Sequence, residues 1–149
     1  MTNEQLANQW VNHILGRNNK THGNGSHFSY SYNVLYSYNS TLAEWDQDKK
    51  VLLINDHIAN YSNTSKRHAL HMERALMGEN ITKLYLYGTL VAQTEMLRDL
   101  ILKQERARKY DYTNEINELI QNIDLYVEYL NVDKRTKEYK EYLNVKRGV

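Results

Sequence analysis

The chain has no cysteine and no proline, a single phenylalanine among its 149 residues, and no apolar run approaching the eighteen residues that span a bilayer. The missing cysteines exclude disulfides, thiolate metal sites and cysteine nucleophiles together. The missing apolar run, with an N-terminus "MTNEQLANQW" lacking the basic-then-apolar layout of a signal peptide, predicts a protein that stays in the cytosol and does not meet the membrane. Its Asn-x-Ser/Thr triplets are then expected to carry no glycan. Charge of one sign is scarce as well. A formal net charge of +1 excludes both a histone-like nucleic-acid binder and an acidic DNA mimic, leaving electrostatic recognition to local patches. No nucleophile elbow, phosphate-binding loop or HExxH zinc motif is present; "GNG" at 23–25 lacks the Lys-Ser/Thr of a phosphate loop and precedes a strand pattern.

What is abundant is tyrosine, thirteen of them. Tyrosine gives large contact area at low entropic cost and carries a hydroxyl that needs a partner, which suits binding surfaces; an AT-rich genome produces the same excess without selection for binding. Placement has to decide. With 41% apolar and 25% charged residues, the chain is long enough to bury a real core, as one domain or as a domain with a helical extension.

Residues 2–17 predict an amphipathic helix: Thr2 and Gln5 form a capping box, and Leu6, Trp10, Val11, Ile14 and Leu15 make its apolar stripe. "NNKTHGNGSH" reads as a flexible loop. From Phe28 the period becomes two. Phe28, Tyr30, Tyr32, Val34, Tyr36 and Tyr38 alternate with Ser29, Ser31, Asn33 and Ser37, predicting two strands that pivot near Asn33 and share a tyrosine-rich face. "TLAEW" and the more apolar "KVLLIN" continue an antiparallel meander of three or four strands. A helix beginning near Thr64 or Ser65 is expected to turn Ala69, Leu70, Met72, Leu76 and Met77 inward and to end at Gly78. Ile81–Lys109 and Thr113–Asn131 read as a helical hairpin capped at Asp111 or Thr113, with "KLYLYGTL" open between helix and a strand-to-helix change at Gly88. A short basic helix from about Asp133 to Asn144, anchored by Tyr139, Tyr142 and Leu143, closes the chain. The fold class is therefore α+β, with residues 1–79 as the sheet-containing part and 80–149 as the helical part.

The candidate site is the loop and helix start at Ser62, Thr64, Ser65, Lys66, Arg67 and His68. A helix start is electropositive, so acids are favoured there, yet this helix opens on cations. Hydroxyls, free backbone N–H groups and cations together are the means of holding a phosphate, or of meeting an acidic protein surface. Tyr30, Tyr36 and Tyr38 would add an exposed stacking face. A second basic cluster contains Lys134, Arg135 and Lys137; from Asp133 onward six cations face only three acids. Two enzymatic readings are weaker. His68 and His71, with Glu73 and the more distant His22, His27 and His57, would suit a metal, but Glu73 does not share their face well; no metal or other cofactor is expected. The hydroxyls of Ser62, Thr64 and Ser65 near His68 lack an orienting carboxylate, so helix capping accounts for them better than nucleophilic catalysis.

The order "LYSYNSTLAEW…KVLLINDHIANYSNTSKRHALHMERAL" resembles a small domain of unknown function found in bacteriophage genomes. That pattern has a Tyr-Ser-Tyr strand, here Tyr36, Ser37 and Tyr38, followed by Thr41, Leu42 and Ala43, an apolar strand ending in Asn, here Leu53 to Asn55, and then Tyr61, Ser62, Thr64, Ser65, Lys66 and His68 leading into a helix. Arg67 shifts the histidine and Asn63 departs from the pattern; the likeness stops near Gly78. The resemblance implies a phage origin and a non-catalytic accessory role of the anti-CRISPR or anti-defence class. Its expected partner is a host protein or ribonucleoprotein defence complex in the cytoplasm of an infected bacterium. Direct nucleic-acid binding is the alternative, and self-association through the sheet edge or the hairpin is a further open route.

Overall fold

The computed structural model describes residues 1–149, which divide into two compact units, Met1–Leu86 and Tyr87–Val149. The first unit contains the helix α1 (Asn3–Ile14), strands β1 (His22–Asn24), β2 (Phe28–Ser31), β3 (Val34–Ser37), β4 (Ser40–Asp46) and β5 (Val51–Asn55), helices α2 (Asp56–Ala59) and α3 (Asn63–Leu76), and strand β6 (Thr82–Leu86). The six strands lie in the sheet in sequence order; β1 to β5 pair antiparallel and β5 pairs β6 in parallel, across the crossover made by α2 and α3.

The first helix forms as its sequence dictates. Thr2 accepts from the Gln5 backbone N–H at 3.1 Å and Gln5 returns the bond at 2.9 Å, closing the capping box. Leu6, Ala7, Trp10, Val11 and Ile14 are buried against the sheet and α3, within one core that includes Phe28, Tyr30, Leu35, Leu42, Trp45, Leu52, Ile54, Met72 and Leu76.

The tyrosine-rich segment folds differently from a simple count of alternate residues. Two Ser-Tyr-Asn tripeptides each form a two-residue hairpin turn, with Tyr32 (φ 52°) and Tyr38 (φ 55°) in the left-handed region and Ser31 paired with Val34, Ser37 with Ser40. Pairing i with i+3 joins an odd position to an even one, so the inward parity flips at each turn. Phe28, Tyr30, Leu35 and Ser37 face the core helices, whereas Tyr36 pairs with Ser29 on the reverse side. No continuous tyrosine face exists. The segment expected to be a loop also supplies a strand: Gly23 of β1 sits where an added Cβ would lie 2.5 Å from the Tyr30 ring, a close approach only glycine permits.

"TKLYL", Thr82–Leu86, is strand β6, not helix. Its backbone supplies the second partner for the apolar β5, and the change of structure falls at Gly88, whose φ of 103° is inexpensive only for glycine. The sheet-containing unit therefore extends to Leu86 rather than ending near residue 79. Glu73 of α3 clamps this strand, accepting from Lys83 Nζ at 3.1 Å and from the Tyr85 hydroxyl at 3.0 Å. All three side chains keep access to water, so Glu73→Ala is expected to lower stability by only about 1 kcal/mol, read from the urea midpoint at unchanged slope.

The second unit consists of α4 (Leu90–Arg106), α5 (Thr113–Tyr129) and α6 (Lys137–Arg147) around Leu90, Leu97, Ile116, Leu119, Ile123, Val127 and Tyr142. The expected hairpin and final helix are present. Tyr112, not Asp111 or Thr113, holds the cap position of α5 and makes no side-chain cap; Asp111 instead accepts from the Thr113 N–H at 2.9 Å. Inside, the Asn122 amide donates to Gln93 Oε1 at 3.2 Å, and Gln93 donates to the Gly88 carbonyl, so the buried glutamine has partners at both ends.

Candidate binding surface at the start of the third helix

Ser62 caps α3, accepting from the Ser65 N–H at 3.1 Å. The same hydroxyl donates to Ser65 Oγ at 3.2 Å; Ser65 Oγ lies 3.0 Å from Ser37 Oγ, and Ser37 Oγ 2.7 Å from His68 Nδ1. This hydroxyl chain runs from the helix cap into the core and ends on an imidazole that stacks parallel on Phe28, 4.5 Å between centroids and 6° between planes. Ser37, Ser65 and His68 are each 1% exposed.

Three of the residues expected at a surface site are therefore interior. Ser65 and His68 belong to the face Ser65, His68, Met72, Leu76, at the three-four-four spacing of a buried helical stripe, while Leu70 and Met77, expected inward, are 47% and 77% exposed. Tyr30 is the third: its hydroxyl accepts from Gln9 Nε2 at 2.6 Å and donates to the Lys20 carbonyl at 2.9 Å beneath α1. Ser37, which sequence reasoning placed on the face opposite Phe28 and Tyr30, shares theirs and joins the network because of the parity flip.

Burial holds His68 below the ordinary imidazole range, and the neighbouring His71 and His27 push the same way. The sign of the pH effect follows. Below about pH 6.5 the unfolded chain takes up a proton that the folded His68 refuses, so its stability contribution is complete above that pH and lost below it. The denaturation midpoint is expected to fall on acidification from about pH 7.5 to 5.5. His68→Phe, which can stack on Phe28 but cannot titrate, should show a smaller fall; an equal fall would exonerate His68.

Ser37 and His68 stand at the distance of a nucleophile and its base, but the serine is enclosed and His68 Nε2 has no acceptor to orient it. No three His, Asp or Glu side chains are placed to share a metal ion, so His68, His71 and Glu73 do not assemble a metal site.

What remains outside is Lys66 and Arg67, both exposed, with Ser62 and Thr64 half-buried behind them. No carboxylate pairs with either cation, although Arg17, Lys83, Arg98, Arg135 and Lys146 all find one. Four helices place an acid in the first turn, Glu4, Asp56, Glu115 and Glu138; α3 and α4 place none, and of those two only α3 opens on cations. Beside this start, the tips of two hairpins bring His27 and Tyr38 together, rings stacked at 4.8 Å, with Tyr38 6.2 Å from the His68 ring. Tyr38 is 45% exposed; Tyr36, half-buried on the reverse of the sheet, does not join it.

The basic cluster of the second unit is also exposed. Arg135 is held by Asp133, Nε to Oδ1 and Nη2 to Oδ2 both at 3.1 Å, which keeps the Asp133 carboxyl below its usual range. Lys134 and Lys137 have no such partner.

No family model matches this chain, and neither the curated proteins nor the solved structures contain a match to it. No helix is long and apolar enough to cross a membrane.

Proposed function

We propose that the protein acts by stoichiometric binding, as a phage accessory protein that occupies and inhibits a host antiviral defence effector such as a CRISPR nuclease complex. The observation that carries the anionic docking surface is the pair Lys66 and Arg67, exposed at an electropositive helix start with no carboxylate of the protein's own beside them. Helix dipole and side chains repel one another there, and an incoming anion relieves both. An acidic groove made to hold nucleic acid has the matching chemistry. The host and target in this reading derive from the sequence resemblance, and the surface from the geometry.

Direct binding to nucleic acid is the second reading, favoured by the exposed His27 and Tyr38 stack beside the two cations and by Lys134 and Lys137. It is the weaker one, because Tyr30 lies inside the core and Tyr36 on the reverse side, so the sheet offers no open row of rings.

Affinity capture from host lysate, followed by Lys66→Ala/Arg67→Ala on the captured pair, tests the first reading. Loss of two charge-assisted contacts is expected to weaken that complex at least about tenfold without changing the fold. Unchanged affinity would return both residues to ordinary solvated surface. Fluorescence anisotropy of labelled DNA and RNA at two salt concentrations separates the readings: steeply salt-dependent binding favours nucleic acid, and no binding favours the protein partner.

A further inference from the structure

A second concavity lies in the first unit, away from the α3 start. It lies where α1 ends, below the β2–β3 turn and beside the β4–β5 turn and the entry to β6, as an open hollow of about 500 Å³ whose rim carries the exposed Gln47, Lys50 and Asn80. Its apolar wall is Ile14, Leu15, Trp45 and Ile81. This volume and wall suit a small organic ligand.

Its polar groups are unusual in kind. Three primary carboxamides, Asn33, Gln47 and Asn80, line one hollow. Gln47 Oε1 accepts from the Trp45 indole N–H at 2.8 Å, which leaves the Gln47 NH₂ as a donor. Asn33 is held by its backbone, its carbonyl accepting from the Trp45 N–H at 2.8 Å, while its side chain and that of Asn80 bond no protein group. Each free carboxamide presents an acceptor and a donor side by side, the pattern complementary to the hydrogen-bonding edge of a nucleobase. No acid lines the cavity; Lys50 is its one lysine or arginine, and His13, whose buried Nδ1 has no hydrogen-bond partner, and Thr82 complete its polar lining. Lys50 takes part in no ion pair and holds a left-handed backbone (φ 57°) that asparagine or glycine would adopt at lower cost.

We infer that this cavity binds a nucleobase-bearing small molecule, its base edge met by the carboxamides of Asn33, Gln47 and Asn80 against Trp45, and a 5′-phosphate met by Lys50. A neutral planar heterocycle satisfies three carboxamides without a counter-charge, and one ammonium suffices for one phosphate. The site is independent of Lys66 and Arg67, so either proposal can fail alone.

The test is a ¹H–¹⁵N titration of the full chain with adenosine, guanosine, cytidine and uridine, their 5′-monophosphates, and ribose 5-phosphate. At least one base is expected to shift, saturably, the side-chain amides of Asn33, Gln47 and Asn80 and the Trp45 indole N–H. Asn33→Ala and Asn80→Ala should each weaken that ligand by about five- to tenfold. Lys50→Ala should weaken the monophosphate and spare the nucleoside. Saturation of the same signals by ribose 5-phosphate alone would overturn base recognition, as would silence across the panel. Backbone spectra of the variants superimposing on the parent show that these surface changes leave the fold in place.

Discussion

Trp10→Ala is expected to remove about 3–5 kcal/mol of stability from the sheet-containing unit, the usual range for emptying a buried tryptophan site. The residue is fully enclosed and lies among Leu6, Ile14, Tyr30 and Trp45 in the same core. Its indole also donates to the Tyr32 carbonyl at 3.2 Å, so it binds a hairpin turn whose backbone sits at positive φ. Trp10→Phe retains most of the volume but leaves that carbonyl unmatched, and is expected to cost about 1–3 kcal/mol. Trp45 is the only other tryptophan and lies in the same unit, so its emission during urea denaturation reports both variants. Equal costs for Ala and Phe would mean that the hydrogen bond, not the ring's volume, holds the turn.

The second large effect is expected at Tyr142, the single fully buried side chain of α6. Its ring closes the helical core, and its hydroxyl donates to Asp124 Oδ1 at 2.6 Å while Lys146 Nζ approaches Oδ2 of the same carboxylate at 2.9 Å. Burial, with Asp124 beside it, raises the phenol above its ordinary range, so it remains a donor at neutral pH. Tyr142→Ala is expected to cost about 3–5 kcal/mol and to release α6, seen as lost amide-exchange protection over Lys137–Arg147. Tyr142→Phe should cost about 1–2 kcal/mol, since Asp124 keeps Lys146 and some access to water. α6 carries few other anchors: Tyr139, Leu143 and Val145 pack only partly, and Arg98 joins Glu141 at the surface. A helix of eleven residues does not hold itself in water, so the ring is what keeps it docked.

Several features were readable along the chain because their causes are local. Thr2 with Gln5 closes within one turn of helix, and the stripe of α1 repeats at the helical period. The hairpin of α4 and α5 and the tyrosine anchors of α6 follow from the same spacing. The hydroxyl loop before α3 was legible as a cap, and Ser62 serves as one. The stripe Ser65, His68, Met72, Leu76 was also present as a signal, though polar side chains at two of its positions disguised it. Alternation from Phe28 to Tyr38 misled because it counts residues, whereas facing depends on how each turn pairs its flanks.

The chain's own order of residues determined the α+β class, the capping box and stripe of α1, the stripe of α5, the turns, and the cations at residues 66 and 67, all of which depend on neighbours within a few positions. Tertiary structure alone decided that "TKLYL" pairs with β5, that Tyr30, Ser65 and His68 turn inward while Tyr38 stays out, and that three carboxamides distant in sequence share one hollow. The physical reason is that hydrogen-bonded periodicity is set along the chain, but strand pairing and burial are settled by segments tens of residues apart competing for one core.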